Sequence, residues 1–153
     1  MKFRDIVRLD ETFSHISEKP PHTATFFNVT QMNDWAKQTR QHVILFPVER
    51  EHAKAYMLRG GVGLARLQEL TVTDLQRPLT FIRWTETSKL MVDGHHRYVL
   101  ADQLRISRMP GWLIDTEDWK KFVIEDMPDD VRKRGIYNVL AQEHVGNGAD
   151  PHQ

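Results

Sequence analysis

Five consecutive residues, Asp93-Gly94-His95-His96-Arg97, combine a carboxylate, two imidazoles and a guanidinium around one glycine. They follow the apolar run Leu90-Met91-Val92 and precede a stretch with helical spacing, so they sit where a strand turns into a helix. A helix N-terminus exposes unpaired N–H groups and carries about half a positive charge. Gly94 lets the backbone turn sharply and leaves room for a ligand to approach. Three cationic or potentially cationic side chains at that end work against the helix dipole, at roughly several tenths of a kcal/mol per charge. An anion reverses the sign of each of these terms. Arg97 offers a planar fork and the histidines further donors, so Gly94, His95, His96 and Arg97 form a candidate phosphate or carboxylate site. The competing reading places one histidine in the core, the other on the surface, and pairs Arg97 with Asp93 or Asp102. The combination at a strand-to-helix turn favours the anion site.

Several elements must position that turn. Pro78 to Trp84 reads as a strand, Thr85 to Ser88 as a turn and Lys89 to Val92 as the return strand of a hairpin. His96 to Leu104 reads as a helix with Val99, Leu100, Gln103 and Leu104 on one side, and Met109 to Ile114 as a further strand. Upstream, His42 to Val48 is a short β-branched run ending near Pro47, the pattern of a buried strand. Glu51 to Leu58 is helical in pattern, Arg59 to Gly63 is a break, and Leu64, Leu67 and Leu70 mark one side of a short helix. Thr30 reads as the cap of a helix over Gln31 to Arg40. Phe3, Ile6, Val7 and Leu9 fit a short strand or one helical turn, and Pro20-Pro21 is a break. Asp115 or Thr116 caps a helical stretch over Glu117 to Ile124. Pro128 opens a last helix weakened at Gly135, and Gly146 to Gln153 reads as a loose tail.

The 153 residues suit one domain with a real core. Lys plus Arg and Asp plus Glu are 21 each, a balance that weakens a nucleic-acid-wrapping role. The absence of cysteine removes disulfides, thiolate metal sites and cysteine nucleophiles. No apolar run approaches the about 20 residues of a membrane span. The charged N-terminus lacks a signal-peptide core, so the expectation is a cytoplasmic protein without membrane contact.

The segment LMVDGHHRYVLADQLRISRMPGWLI resembles the signature of the ParB/sulfiredoxin superfamily: an apolar strand, an Asp-Gly-x-His-Arg-like box, an Ala-containing helix, and a Pro before the next strand. Leu75 to Ile82 resembles the family segment leading through Pro into a strand, and Val43 to Val48 its opening strand. The resemblance implies an α/β (α+β) fold, a small mixed sheet with surrounding helices in a single domain, whose box contacts nucleotide phosphates. It divides the chain into an unassigned extension over 1–42, a nucleotide-binding core over 43–114, a helical extension over 115–145 and a tail over 146–153. Sulfiredoxins place their catalytic cysteine where this chain has His95, so sulfinic-acid reduction is excluded in its known form. Partition proteins of the superfamily carry a Glu-Arg-Arg run in their CTP box and a DNA-binding domain after it. Here the box reads His95-His96-Arg97 and about 39 residues follow the matched segment, so CTP is the less favoured nucleotide. Kinases that phosphorylate free serine have a box close to this one.

The resemblance therefore implies phosphoryl transfer from ATP or ADP, with Mg²⁺, to a small hydroxyl substrate, or ATP hydrolysis. Gly94, His95, His96 and Arg97 would hold the phosphates. Asp93 would bind Mg²⁺ or accept the hydroxyl proton, since this chemistry needs chiefly positioning and charge neutralisation. Glu51, favoured over Glu49, is the candidate second carboxylate near the same sheet end; each is otherwise a solvated acid beside Arg50. No dedicated metal site is expected: adjacent helical histidines point about 100° apart and no HxxxH spacing is present. A ParB-like nuclease or DNA-associated protein is the alternative, with Arg83, Lys89, Arg105 and Arg108 as its basic surface. The mixed charges around Lys120, Lys121 and Arg132 to Arg134 fit a solvated face better. The four tryptophans suit core anchors more than base-stacking platforms. A third class is a non-enzymatic partner-binding module on the same fold.

Overall fold

Along Leu79-Thr80-Phe81-Ile82 and Met91-Val92, neighbouring residues are all apolar or buried, the pattern of strands covered on both faces. A computed structural model describes residues 1–6, 10–59 and 62–130 and shows such a sheet. Its elements in chain order are β1 (Thr12–Ile16), β2 (Ala24–Asn28), α1 (Val29–Gln38), β3 (Ile44–Pro47), α2 (Arg50–Leu58), α3 (Leu64–Glu69), β4 (Leu79–Thr85), β5 (Ser88–Asp93), α4 (His95–Gln103), β6 (Arg108–Ile114) and α5 (Thr116–Trp119). Short 3-10 turns lie at Phe3–Asp5, Val72–Gln76 and Lys120–Phe122. The main sheet has the order β3-β6-β4-β5. Its central pair, β4 and β6, is parallel and the outer pairs are antiparallel. The expected mixed α/β architecture is therefore present.

Side chains alternate across a strand, so β4, β5 and β6 each feed two cores. Leu79, Phe81, Met91 and Met109 join Ala53, Leu67, Tyr98 and Val99 under α2, α3 and α4. Ile82, Val92, Trp112 and Ile114 join Phe27, Met32, Ala36 and Trp119 on the other face, beneath α1 and the β1–β2 hairpin. Gly111 serves the first core directly. A Cβ there would lie 2.7 Å from the Phe46 ring, which crosses this position to meet Phe81 at a centroid distance of 4.5 Å.

The segments that resemble nothing by sequence build the second face. Val123 bridges Phe27, and Ile124 N–H donates to the Phe26 carbonyl at 2.8 Å. The N-terminal ammonium donates to the Val123 carbonyl at 3.0 Å, and Phe3 N–H to Asp126 at 2.7 Å.

Several expectations need correction. Helix α1 is capped by Asn28, whose Oδ1 accepts the Gln31 N–H at 3.0 Å; Thr30 instead accepts from Glu11 N–H at 2.8 Å. Both residues are good caps, and strand β2 decides by ending at the buried Asn28. The 42–48 run forms an edge strand, not a buried one: only Phe46 is covered, because among the described residues no further strand flanks β3. In α4 the burial runs through Arg97, Tyr98, Val99 and Ala101, while Gln103 and Leu104 face solvent. Leu64 is likewise exposed, although Leu67 and Leu70 are buried. The helix expected to Ile124 is α5 and a 3-10 turn, after which the chain extends to pair with β2. The expectations for Val7 and Leu9, for Gly60-Gly61, for most of the last helix and for the tail lie outside the described residues.

Candidate functional site

Strand β5 ends at Asp93, and Gly94 carries the chain into α4 with φ of +109°. That left-handed conformation favours glycine, and a Cβ at Gly94 would also lie 2.5 Å from the Leu79 side chain. Gly94 has no side chain to cap α4, so among the described residues its first-turn N–H groups have neither intrahelical acceptors nor a capping oxygen.

The structure gives the four box side chains specific employment. Arg97 is only 5% exposed. Its Nη1 donates to the carbonyls of Arg77 (2.6 Å) and Pro78 (3.0 Å), and its Nη2 to Asp93 Oδ2 at 3.3 Å. The guanidinium thus ties the start of α4 to the entry of β4 and the end of β5. The expected phosphate fork points inward. Of the two pairings foreseen, Asp93 is the partner; Asp102 lies 3.8 Å from Arg50.

The histidines are not cations here. His95 keeps a little solvent contact but is closely surrounded, stacked on Phe13 at 5.4 Å and met edge-on by Tyr56 at 4.8 Å. Burial lowers its pKa to about 4, partly opposed by Asp93, so it is neutral at pH 7. His96 Nε2 accepts the Gly63 N–H at 3.1 Å, which places its proton on Nδ1. Its pKa too is lowered, first by burial and then by Arg66. The repulsion anticipated at the helix end is thereby avoided: two of the three potential cations are neutral and the third is paired.

Asp93 Oδ2 also accepts from Asn33 Nδ2 at 2.9 Å, and Asn33 Oδ1 accepts from the buried Thr80 hydroxyl at 2.6 Å. The chain Thr80–Asn33–Asp93–Arg97 holds the carboxylate from both cores, with its side chain 31% exposed. Sequence reasoning missed Asn33 and Thr80. Their one signal was a polar residue inside the buried stripe Val29, Met32, Ala36 and another inside an apolar strand.

Three arginines outside the box surround the same turn. Burial is the main cause of the lowered pKa values of His95, His96 and Arg97, to which Arg59 at the end of α2, Arg66 on α3 and Arg77 respectively add. Each side chain is at least half exposed, in surface ion pairs with Glu18, Glu69 and Asp74 respectively. Such pairs are worth about 0–1 kcal/mol and rearrange readily.

Glu51 does not join Asp93. Arg50 at the start of α2 lies by Asp102 near the end of α4, whereas Tyr56 further along α2 meets His95 at the start of α4. The two helices run in opposite directions, so exposed Glu51 sits beside the far end of α4. The β3 and β5 ends share one end of the sheet, as expected, but occupy its opposite edges. Glu49 is exposed beside His52 at 3.3 Å. Of the proposed basic surface, Arg83 pairs with Asp115 at 3.0 Å and Lys89 lies over the Phe81 ring at 5.6 Å.

Comparison of the chain with models of protein families, with curated proteins and with solved structures finds no match in any of the three.

Proposed function

We propose that this chain is a ParB/sulfiredoxin-like nucleotide-binding protein that holds the phosphates of ATP or ADP at the first turn of α4 and passes a phosphoryl group to a small hydroxyl compound or to water. The observation that carries the reading is the α4 N-terminus, uncapped among the described residues and opened by left-handed Gly94 directly beside the Asp93 carboxylate, about a third exposed. Main-chain N–H groups take the role first given to the Arg97 fork. Arg97 becomes a positioning residue, holding Asp93 Oδ2, while Oδ1 meets no hydrogen-bond donor among the described residues. Asp93 would accept the proton of the attacking hydroxyl. Arg59 and Arg66 would leave their surface partners to meet phosphate charge. Among the described residues no group of three His, Asp or Glu is arranged for a metal ion, so Mg²⁺ would arrive with the phosphates rather than fill a preformed protein cage.

A partner-binding module without turnover is the second reading. It is favoured by the internal employment of His95, His96 and Arg97. Calorimetric titration of ATP, ADP and CTP, each with Mg²⁺, into wild type, Asp93→Asn and the Arg59→Ala/Arg66→Ala double variant separates the two. Phosphoryl transfer requires binding that the arginine variant weakens at least tenfold and turnover that Asp93→Asn abolishes with binding retained. Binding without turnover supports the module, and folded wild-type protein that binds none of the three nucleotides removes the phosphate site altogether.

A further inference from the structure

The two edges of the main sheet are finished differently. Edge strand β5 begins with exposed Ser88 and Lys89 and is interrupted by two register shifts against β4, features that discourage a further strand. Edge strand β3 and the residue before it present three consecutive apolar residues to solvent: Val43 (46% exposed), Ile44 (38%) and Leu45 (59%).

The backbone of that edge is open as well. Val48 N–H donates to the Ser107 carbonyl at 2.9 Å, in the same register that pairs Phe46 with Met109 and Ile44 with Gly111. In an antiparallel pair the hydrogen-bonded positions alternate, so Ile44, Phe46 and Val48 turn their peptide groups to β6. Val43 and Leu45 turn theirs outward. Pro47 supplies no N–H and bounds the strip at one end, while Arg40, with φ of +54°, turns the chain away at the other.

We infer that this edge is a self-association surface on which a second copy of the chain adds its own β3, antiparallel, about a two-fold axis at Ile44. Val43 of one copy and Leu45 of the other then exchange N–H···O=C bonds, and the two-fold axis repeats the exchange. The occupant is a second copy because the strip is complementary to itself in charge as well as in hydrogen bonding. Its N-terminal flank carries exposed Arg40, and its C-terminal flank carries exposed Glu49, Arg50 and Glu51, a net single negative charge against a single positive one. An antiparallel two-fold pairing lays each basic flank along the other copy's acidic one. It also covers Val43, Ile44 and Leu45 together.

Sedimentation velocity of the full chain over a concentration series tests this, with the Val43→Lys/Leu45→Lys double variant beside wild type. The expected result is a wild-type species of twice the 18.0 kDa chain mass and a variant of the single mass, whose thermal melt matches that of wild type diluted until it is monomeric. Register is read separately. The chain has no cysteine, so Ile44→Cys introduces one thiol per copy. Facing residues of a non-hydrogen-bonded pair have Cα atoms about 4.5 Å apart, within disulfide range. Ile44→Cys should therefore crosslink under mild oxidation at least tenfold faster than Glu86→Cys in the β4–β5 turn. Should the lysine variant lose its fold, the cysteine pair alone decides. A wild type of single mass at every concentration overturns the inference and leaves a strand of another protein as the occupant. A dimer that survives folded Val43→Lys/Leu45→Lys, or an Ile44→Cys that crosslinks no faster than Glu86→Cys, overturns it too.

Discussion

The start of α4 and the β3 edge lie on the same sheet and solve opposite problems. At the α4 start, polar side chains are drawn inward and almost every one meets a partner: Arg97 with two carbonyls and Asp93, Asp93 with Asn33, Asn33 with Thr80, and His96 with Gly63. At β3, apolar side chains are turned outward and two residues leave their peptide groups uncovered. The first region concentrates stability in a few hydrogen bonds of low exposure. The second contributes little to the fold and keeps its surface for an encounter. Chemistry-bearing residue types therefore do not by themselves mark the exposed functional surface. Much of the box works as structure, and the plainest apolar run of the chain is the one left open.

The comparison can be broken hardest at Arg97. Replacing it by Ala strands the Asp93 carboxylate and two backbone carbonyls, and a loss of about 3–5 kcal/mol is expected in urea denaturation. A loss below about 1 kcal/mol would mean that the network is a surface pair in disguise.

Acid comes next. His95 has a folded pKa of about 4 against an ordinary 6.5, so between these values the unfolded chain binds the proton and the folded chain does not. Stability is full above pH 6.5 and falls as the pH drops toward 4, by up to about 3 kcal/mol. His15 and His96, also shifted downward, act with the same sign. His95→Phe, which keeps a ring against Phe13, should flatten much of this slope; an unchanged slope would assign it to other groups.

Gly94→Ala places a Cβ at positive φ and against Leu79, and should cost about 2 kcal/mol or more in the same denaturation assay. The smallest effect belongs to the β3 edge. Leu45→Lys should change the stability of the folded chain by no more than about 0.5 kcal/mol, measured at a concentration where it is monomeric. A loss comparable to that of Arg97→Ala would erase the distinction between the two regions.

Much of the architecture was legible along the chain because it rests on local chemistry. The hairpin over residues 78–92, the glycine turn, the helix after it and the strand ending at Ile114 each carry their own turn residues or periodicity. The position of the box at a strand-to-helix junction followed from that alone. The direction in which its side chains point did not. An Arg at the third residue of a helix can reach outward to a ligand or inward to a carbonyl. The choice was made by Arg77 and Pro78, which are distant in sequence and arrive with the entry to β4. The charge of His95 was equally hidden, since the Phe13 and Tyr56 rings that enclose it come from segments far up the chain.

Asn33 and Thr80 joined the site by the same route, and Glu51 was removed from it when α2 and α4 packed antiparallel. Val43 to Pro47 illustrates the limit most simply. By itself the sequence determined that these residues form a strand, because β-branched and aromatic side chains favour an extended backbone. Whether that strand is central or at an edge depends on which other strands flank it. Only the tertiary structure decided that, by placing β6 on one side and no strand of the described residues on the other.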